Sequence, residues 1–481
     1  MFCVFLIRER KRNYKKKPIK LHLGRKEISS LKMLKYNMNK LHQRTILSIL
    51  FLIPITLLAQ MPDRSTVLER GRRHAKILAS PEMAGRGYQE DGALKAARYI
   101  ADQFKAFGLQ PVEGVDASEN PYFQPFKFST NLVDSLSLTM NGEKMKEGED
   151  FIAASITGRG TIEETKVYDI GYGLPKDFKK RFDGGIVMFR SGLPPKKAKK
   201  ESFVEKYKDF RNDQVKIKLA RRQGASGFIV LKPKLTAGFN PIPLNFPVLE
   251  VDQDELPGKK IKTARIGVDA NLKKITTQNV VGMIPGKTDP DSVIILCAHY
   301  DHLGTQGEAI FYGGNDNASG TSLMLALAEH YAQPGNAPDY TMLFIAFGAE
   351  EAGLHGSKYY VKKNPLKPLD QTVFVLNMDL MANGDKGITA VAGYDFPDQL
   401  EILKNINTEI DAVPLVQPRG NRANSDHYFF VEEGVPAIFI FTMGGPPHYH
   451  DINDNYENMQ FSRYYEVYQL FVGFLNKLME N

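Results

Sequence analysis

The stretch TMLFIAFGAEEAGLHG, residues 341–356, joins an apolar run to two adjacent acidic residues. The run from Met342 to Phe347 is followed by glycine, which indicates a buried parallel strand that leaves its sheet at this point. Carboxylates at the tip of a buried strand are costly unless they bind a cation or transfer a proton. Glu350 and Glu351 therefore mark this edge of the predicted sheet as a candidate site.

Strand and helix patterns alternate through the C-terminal part of the chain. The predicted strands are 292–297, 341–347, 372–378 and 437–442, and the predicted helices are 319–332, 354–363, 399–410 and 461–478. This alternation predicts an α/β fold with a mainly parallel sheet covered by helices on both faces. Functional sites in such sheets lie at the carboxyl ends of the strands.

Further candidate metal ligands follow these strands or lie in nearby loops. They are His299, Asp316, Asp379 and His450. Together with one of the two adjacent glutamates they make five oxygen or nitrogen ligands, and the other glutamate is left over. Such a set fits two hydrolytic metal ions and a general base.

Each of these residues also has a structural interpretation. His299 alone would be a structural histidine, Asp316 an Asx turn before a helix, and Asp379 a turn residue. Asp301 follows His299 by two residues, so an extended chain would place both side chains on one face. We therefore expect the Asp301 carboxylate to accept the second ring N–H of His299. His302 is expected not to be a ligand.

Six motifs together resemble the co-catalytic di-zinc aminopeptidases, a family that includes glutamate carboxypeptidase and the transferrin receptor. They are AHYDHLG (298–304), NDNASG (315–320), EEAGLHGS (350–357), NMD (377–379), SDH (425–427) and YH (449–450). Residues 66–112, with LASPEMAGR at 78–86, resemble the opening segment of the family. Residues 150–265 are similar to its protease-associated (PA) insertion, more loosely.

The resemblance implies two Zn²⁺ ions per chain. By motif, His299 and Asp379 would hold one ion, Glu351 and His450 the other, and Asp316 would bridge the two. A fold of the zinc exopeptidase type is implied with them.

The same resemblance assigns catalytic and supporting roles. Glu350 would be the general base, and Tyr449 would hydrogen-bond the tetrahedral oxyanion. Asp426 and His427 match a motif near the substrate cleft and take a supporting role. The chain departs from the family's pattern just after the last histidine, which makes Asp454 a candidate to support the metal ligands.

Four segments are expected along the chain. Residues 1–60 form a leader with a signal peptide, and 61–135 form the first part of the peptidase domain. Residues 136–270 form a β-rich, PA-like insertion that we interpret as non-catalytic, and 271–481 form the main part with the metal site. Within them, we expect loops and short strands over 113–150 and a charged helix around 203–223.

The charge of the chain is divided unevenly. Of 63 Lys/Arg and 55 Asp/Glu residues, 14 and 2 lie in residues 1–60, so this leader carries +12 and the remainder −4. A remainder with this charge gives no indication of nucleic-acid binding. Residues 45–59 are apolar over the length of a signal-peptide core, follow basic residues, and allow cleavage after Ala59. The alternative is an uncleaved membrane anchor, for which the run is short and interrupted by Pro54.

The sequence therefore predicts an exported, periplasmic or extracellular zinc metallopeptidase that acts on peptides, most simply as an aminopeptidase. It predicts no stable membrane span after signal cleavage and leaves the oligomeric state open. One alternative is a carboxypeptidase or dipeptidase of the same family. A second is a receptor-like binding protein without catalysis, which the presence of all five ligands argues against. A glutaminyl cyclase, which shares the fold with one zinc, would lack His299.

Overall fold

The structure is a computed structural model, and it describes residues 61–114, 119–256 and 258–480. The expected leader and its signal peptide lie outside the described residues. The described chain from Pro62 onwards forms one compact unit. Within these residues, no helix is both long and apolar enough to cross a membrane.

The strands in chain order are β1 (Phe123–Met140), β2 (Glu143–Lys144), β3 (Phe151–Ala153), β4 (Gly160–Asp169), β5 (Ile186–Arg190), β6 (Gly227–Lys232), β7 (Val248–Asp252), β8 (Thr263–Ile284), β9 (Asp289–His299), β10 (Gly304–Gln306), β11 (Ala309–Phe311), β12 (Tyr340–Phe347), β13 (Thr372–Met378), β14 (Gly387–Val391), β15 (Val416–Pro418) and β16 (Ala437–Met443).

The α-helices in chain order are α1 (Arg64–Leu78), α2 (Gly92–Phe107), α3 (Glu201–Lys206), α4 (Asp213–Arg222), α5 (Gly320–Tyr331), α6 (His355–Lys363), α7 (Pro397–Ile410), α8 (Tyr428–Glu432) and α9 (Tyr464–Met479). The four strands and four helices predicted for the C-terminal part are all confirmed, with ends that shift by a few residues.

The sheet that carries these strands has a parallel centre and antiparallel flanks. Its order at this end is β15-β14-β16-β13-β9-β12-β8. β9, β12, β13 and β16 pair in parallel, β8 runs antiparallel to β12, and β14 runs antiparallel to β16 but parallel to β15. Residues 293–298 of β9 are completely buried, as expected of a central strand covered on both faces. The α/β class is therefore confirmed, with a more mixed sheet than the mainly parallel one expected.

The expectation of loops and short strands over 113–150 is wrong, because β1 runs for 18 residues. It pairs antiparallel with β8 over almost its whole length, with a bulge between Val133 and Ser135. One extra residue in a strand switches the sheet face to which the following residues point. Phe126 and Leu138 both have even residue numbers, so without the bulge their side chains would point to the same face. With the bulge, Phe126 packs near Ala349 beside the acidic pair, and Leu138 packs into a different core.

That second core is shared by the C-terminal part of β1, the N-terminal part of β8 and residues 141–262, which connect these two strands. We call residues 141–262 the inserted module. Its strands follow the order β4-β5-β6-β7-β3 and continue the main sheet through the pairing of β4 with β8. The expectation of a single charged helix around 203–223 is wrong. A 3₁₀ turn and the N-cap residue Asn212 divide this segment into α3 and α4. Similarity of the module to a PA domain stays a prediction.

Candidate metal centre

Three neighbouring strand tips place acidic and imidazole side chains at one edge of the sheet. Phe347, the last residue of β12, lies opposite His299, the last residue of β9. Asn377 of β13 lies opposite Cys297, so Asp379 follows at the level of His299. The carboxyl ends of parallel strands meet at one edge. The sheet register therefore brings Asp379 and the acidic pair after β12 to His299.

Asp316 reaches the same point from a tight turn, residues Gly314–Ser319, that leads into α5. The Asp454 carboxylate accepts the backbone N–H groups of Asn315 and Asp316 at 2.8 and 2.9 Å. Gly320 begins α5 where a Cβ atom would lie 2.5 Å from the backbone oxygen of Met378, so only glycine allows this approach to β13. Asp454 thus supports the ligand turn from behind, as the sequence predicted.

The distances between the candidate ligand atoms define two groups that share Asp316. His299 Nε2 lies 3.4 Å from Asp316 Oδ1 and 3.4 Å from Asp379 Oδ2. His450 Nε2 lies 3.1 Å from Asp316 Oδ2 and 3.1 Å from Glu351 Oε2. Each oxygen of Asp316 therefore faces a different histidine. This is the arrangement expected of a carboxylate between two metal ions.

The residues fit zinc by their chemistry and by their unsatisfied atoms. Imidazole nitrogen and carboxylate oxygen are normal zinc ligands. Asp379 Oδ1 and His450 Nε2 are among the buried polar atoms of the described residues that have no hydrogen-bond partner. Buried polar atoms are rarely left in this condition, and a bound cation would satisfy both. The structure thus brings all five predicted ligands together in a geometry suited to zinc.

The two adjacent glutamates experience different environments. Burial raises the pKa of Glu350, and the charges of Glu351 and Asp426 raise it further. Burial would also raise the pKa of Glu351, but the imidazoles of His450 and His302 outweigh it and lower this pKa to about 2. Glu350 Oε2 also stands farther from the centre, 4.0 Å from His299 Nε2. Such divergence indicates different chemical roles for the two carboxylates.

The expected contact between the Asp301 carboxylate and His299 is wrong. His299 Nδ1 lies 3.1 Å from the backbone oxygen of Asp301 and 3.9 Å from its carboxylate. The reason is that β9 ends at His299, so the following chain is not extended. The Asp301 carboxylate instead accepts the backbone N–H of Glu350 at 3.0 Å and the Tyr88 hydroxyl at 3.1 Å. It therefore positions the acidic pair.

His302 has a supporting role that the sequence analysis missed. Its Nδ1 lies 2.6 Å from Glu351 Oε1, and its side chain is fully buried. The other oxygen of Glu351 faces His450. Hydrogen bonds to a ligand carboxylate fix its orientation. His302 therefore orients the candidate ligand Glu351.

Residues 425–427 lie behind the centre. Ser425 Oγ donates to Asp379 Oδ2 at 3.2 Å, and Asn377 Nδ2 donates to Ser425 Oγ at 2.7 Å. The pKa of Asp426 is raised to about 7, and burial is the largest of the several causes. His427 packs against Phe439, and burial lowers its pKa to about 3. The motif therefore supports Asp379 and adds a carboxyl group to the centre's surroundings.

Tyr449 lies at the exposed side of the centre. Its ring stacks on that of His450 with centroids 3.8 Å apart, and the residue is 52% exposed. An exposed tyrosine directly beside a metal ligand is accessible to a substrate. Its contact with an oxyanion stays a prediction.

Arg86 is a second residue to which the sequence analysis gave no role, although it ends the LASPEMAGR segment. It is completely buried. Its guanidinium donates to five backbone oxygens, those of Leu78, Tyr300, Tyr312, Gly313 and Asp316. Tyr300 follows the candidate ligand His299 directly, and Tyr312 and Gly313 lie just before the turn that carries the candidate ligand Asp316. Arg86 therefore joins the opening segment of the chain to the metal centre.

The two histidines and three carboxylates at this edge of the α/β sheet are a ligand set of the kind found in zinc metallopeptidases. Residues 279–475 match the sequence profile of peptidase family M28. This segment contains every candidate ligand, so the similarity to that family covers the whole candidate metal centre.

Curated relatives are similar over different shares of their length. Aminopeptidase YwaD of Bacillus subtilis (strain 168) is 26% identical over 361 residues, which are 69% of this chain and 71% of that protein. The probable glutamate carboxypeptidase AMP1 of Arabidopsis thaliana is 29% identical over 218 residues, 42% of this chain and 30% of that protein. Of these two relatives, only aminopeptidase YwaD matches this chain well beyond the length of residues 279–475.

Solved structures share the fold of the whole described chain. BSAP, a zinc aminopeptidase from Bacillus subtilis, superposes with a TM-score of 0.63 at 22% identity, covering 85% of this chain and 94% of that one. A peptidase M28 precursor from Shewanella amazonensis SB2B gives a TM-score of 0.63 at 15% identity, with 85% and 92% coverage. At these identities the likeness shows the fold alone.

Proposed function

We propose that this chain is an exported aminopeptidase that uses two zinc ions to remove N-terminal residues from peptides. One observation carries the proposal: Asp316 stands between two histidines, each paired with a further carboxylate, and Glu350 lies beside them. The similarity to aminopeptidase YwaD, which spans 71% of that protein, supports the same activity.

The residues divide between the two proposed ions according to the measured distances. His299 and Asp379 would hold one ion, Glu351 and His450 the other, and Asp316 both. When bound, the ions polarise the scissile carbonyl and lower the pKa of a bound water to ~7. The ligands are buried in a polar network, which fixes their positions before substrate arrives.

Glu350 is placed to move the proton in this reaction. Its carboxylate accepts a proton from the attacking water and delivers it to the leaving amine. Its raised pKa, caused first by burial, brings it closer to the pH at which both transfers are efficient. Asp301 holds its backbone. Tyr449, half-exposed beside His450, is the proposed hydrogen-bond donor to the oxyanion.

The charge of the centre favours the amino end of a peptide over its carboxyl end. Four carboxyl groups, those of Asp316, Glu350, Glu351 and Asp379, would balance two divalent ions. Asp301, Asp426 and Asp454 add three buried carboxyl groups around them, against the buried guanidinium of Arg86. A surplus of acidic groups attracts an ammonium group and repels a terminal carboxylate. The similarity to AMP1, a probable glutamate carboxypeptidase, keeps carboxypeptidase activity as the second candidate.

We expect the enzyme to require a free amino terminus. Leucine p-nitroanilide should be hydrolysed with a kcat/KM at least ~10–100-fold above that of its N-acetyl derivative, because acetylation leaves the group that binds the ammonium unpaired. The matched pair differs only at the amino end. An N-acetylated peptide shortened from its carboxyl end at the rate of the unblocked peptide would instead establish a carboxypeptidase.

Export is a separate proposal, supported by the composition of the leader. Residues 45–59 are apolar and follow Lys40 and Arg44. Cleavage after Ala59 would leave a mature protein that starts at Gln60, which N-terminal sequencing of the exported protein tests. A membrane-bound product that retains residues 45–59 would favour an anchor.

A further inference from the structure

The inserted module reaches the metal centre through residues 233–239, which we call the bridging segment. Its start is fixed in the module, where Lys232 at the end of β6 lies 2.9 Å from Asp213 and 3.4 Å from Glu250. Its middle is buried in a core that includes Leu303 and Phe311, both from the catalytic part of the chain. The segment therefore belongs to both parts of the molecule.

The bridging segment binds the ligand His450 at two points. The backbone N–H of Ala237 donates to the His450 carbonyl at 3.0 Å. In return, His450 Nδ1 lies 3.1 Å from the Ala237 carbonyl and donates its proton there. A ring that is protonated at Nδ1 presents the lone pair of Nε2, and Nε2 is the atom that faces Asp316 and Glu351. Ala237 thus selects the tautomer that can bind a metal ion.

Lys234 holds the residues on both sides of His450. Its ammonium donates to the backbone oxygens of Pro447 and Tyr449 at 2.6 and 2.8 Å. It also lies 3.1 Å from the Asp451 carboxylate. Between these contacts, His450 has a φ of 59°, a left-handed conformation uncommon for residues other than glycine. Such a backbone persists when its surroundings determine it.

We propose that the inserted module completes the metal centre, with Lys234 as a positioning residue that holds His450 in its ligating geometry. This proposal goes beyond the interpretation of the module as non-catalytic, and it rests on the proposed function. The module supplies no ligand. It supplies the hydrogen bonds that orient one, and loss of such partners typically lowers metal affinity or activity by ~10–100-fold.

The test measures zinc affinity directly, by competition between the protein and a chromophoric chelator. We expect Lys234→Ala to bind one of its two zinc equivalents ~10-fold more weakly and the other as wild type does. Lys234→Met, which keeps the aliphatic stem and loses the charge, should give the same result. If the alanine variant folds poorly, the zinc affinity of Lys234→Met tests the proposal in its place. Lys234→Arg should recover part of the affinity because its guanidinium can reach the same oxygens.

Lys208→Ala is the matched control, since Lys208 lies in the same module and pairs with Glu205 of α3. It should bind both equivalents as wild type does. Two zinc equivalents bound with wild-type affinity by both Lys234→Ala and Lys234→Met would overturn the inference and leave the proposed function intact. If the wild type itself bound fewer than two equivalents, the proposed function would fail first.

Discussion

We expect Glu350→Gln to retain both zinc equivalents and to lose ~10²–10⁴-fold in kcat, because an amide cannot accept the water proton. Glu350 stands 4.0 Å from His299 Nε2, outside the closest ligand pairs, so its amide should leave the metal ligands in place. Metal analysis and steady-state kinetics on one preparation measure both quantities. The loss should appear in kcat, since the group acts in the chemical step.

Glu351→Gln is the natural comparison, because it changes the neighbouring residue in the same way. Glu351 faces His450 Nε2 at 3.1 Å, and a neutral amide is a poorer zinc ligand than a carboxylate. This variant should therefore lose or weaken one zinc equivalent. If Glu350→Gln lost the metal while Glu351→Gln kept it, the roles would be reversed. Near-normal kcat in Glu350→Gln would remove Glu350 as the base.

The second large effect is expected on stability. Arg86→Met should destabilise the fold by ~3–5 kcal/mol, because it leaves the carbonyl oxygens around a completely buried guanidinium without their donors. Zinc affinity should fall as well, since one of these oxygens belongs to the ligand Asp316. Urea unfolding of the zinc-free and zinc-loaded forms measures both effects.

Arg98→Met is the control for this variant. Arg98 is exposed on α2, so its replacement should change stability by less than ~0.5 kcal/mol. An effect of Arg86→Met as small as that of Arg98→Met would show that the five backbone contacts contribute little. Arg86→Lys should fall between the two, because a lysine keeps the charge and cannot reproduce the fork of donors.

The strands of the catalytic half could be predicted because burial determines their composition. Residues 342–347 and 373–376 are continuous apolar runs, and such runs are typical of strands in a sheet that is covered on both faces. Their order along the chain also placed the candidate ligands at strand ends. For the same reason the candidate ligands His299 and Asp379, which lie at the ends of strands, could be located from the sequence.

β1 was missed although its sequence contains the signal. Phe126, Phe128 and Leu132 occupy alternating positions, as do Leu136 and Leu138. The bulge near Val133 interrupts the pairing and transfers the strand from one core to another. The alternation of apolar and polar residues on each side of the bulge does not show that both halves belong to one strand. The two halves pack against different cores, whose other members are distant from β1 in the sequence.

The contacts that support the metal centre join residues that are far apart in the sequence, and local sequence patterns do not predict such contacts. His302 contacts Glu351 across 49 residues, and Lys234 contacts Tyr449 across 215. The sequence supplied only the residue types. Asp301 shows the same limit at short range, since its predicted contact assumed that the chain stays extended beyond His299.

The most direct test of the two-zinc aminopeptidase is a metal titration. Zinc is removed from the purified protein with a chelator, and hydrolysis of leucine p-nitroanilide is followed as zinc is returned in known amounts. We predict negligible activity without metal and a plateau at two equivalents per chain. Full activity in the metal-free protein, or a plateau at one equivalent, would contradict the account.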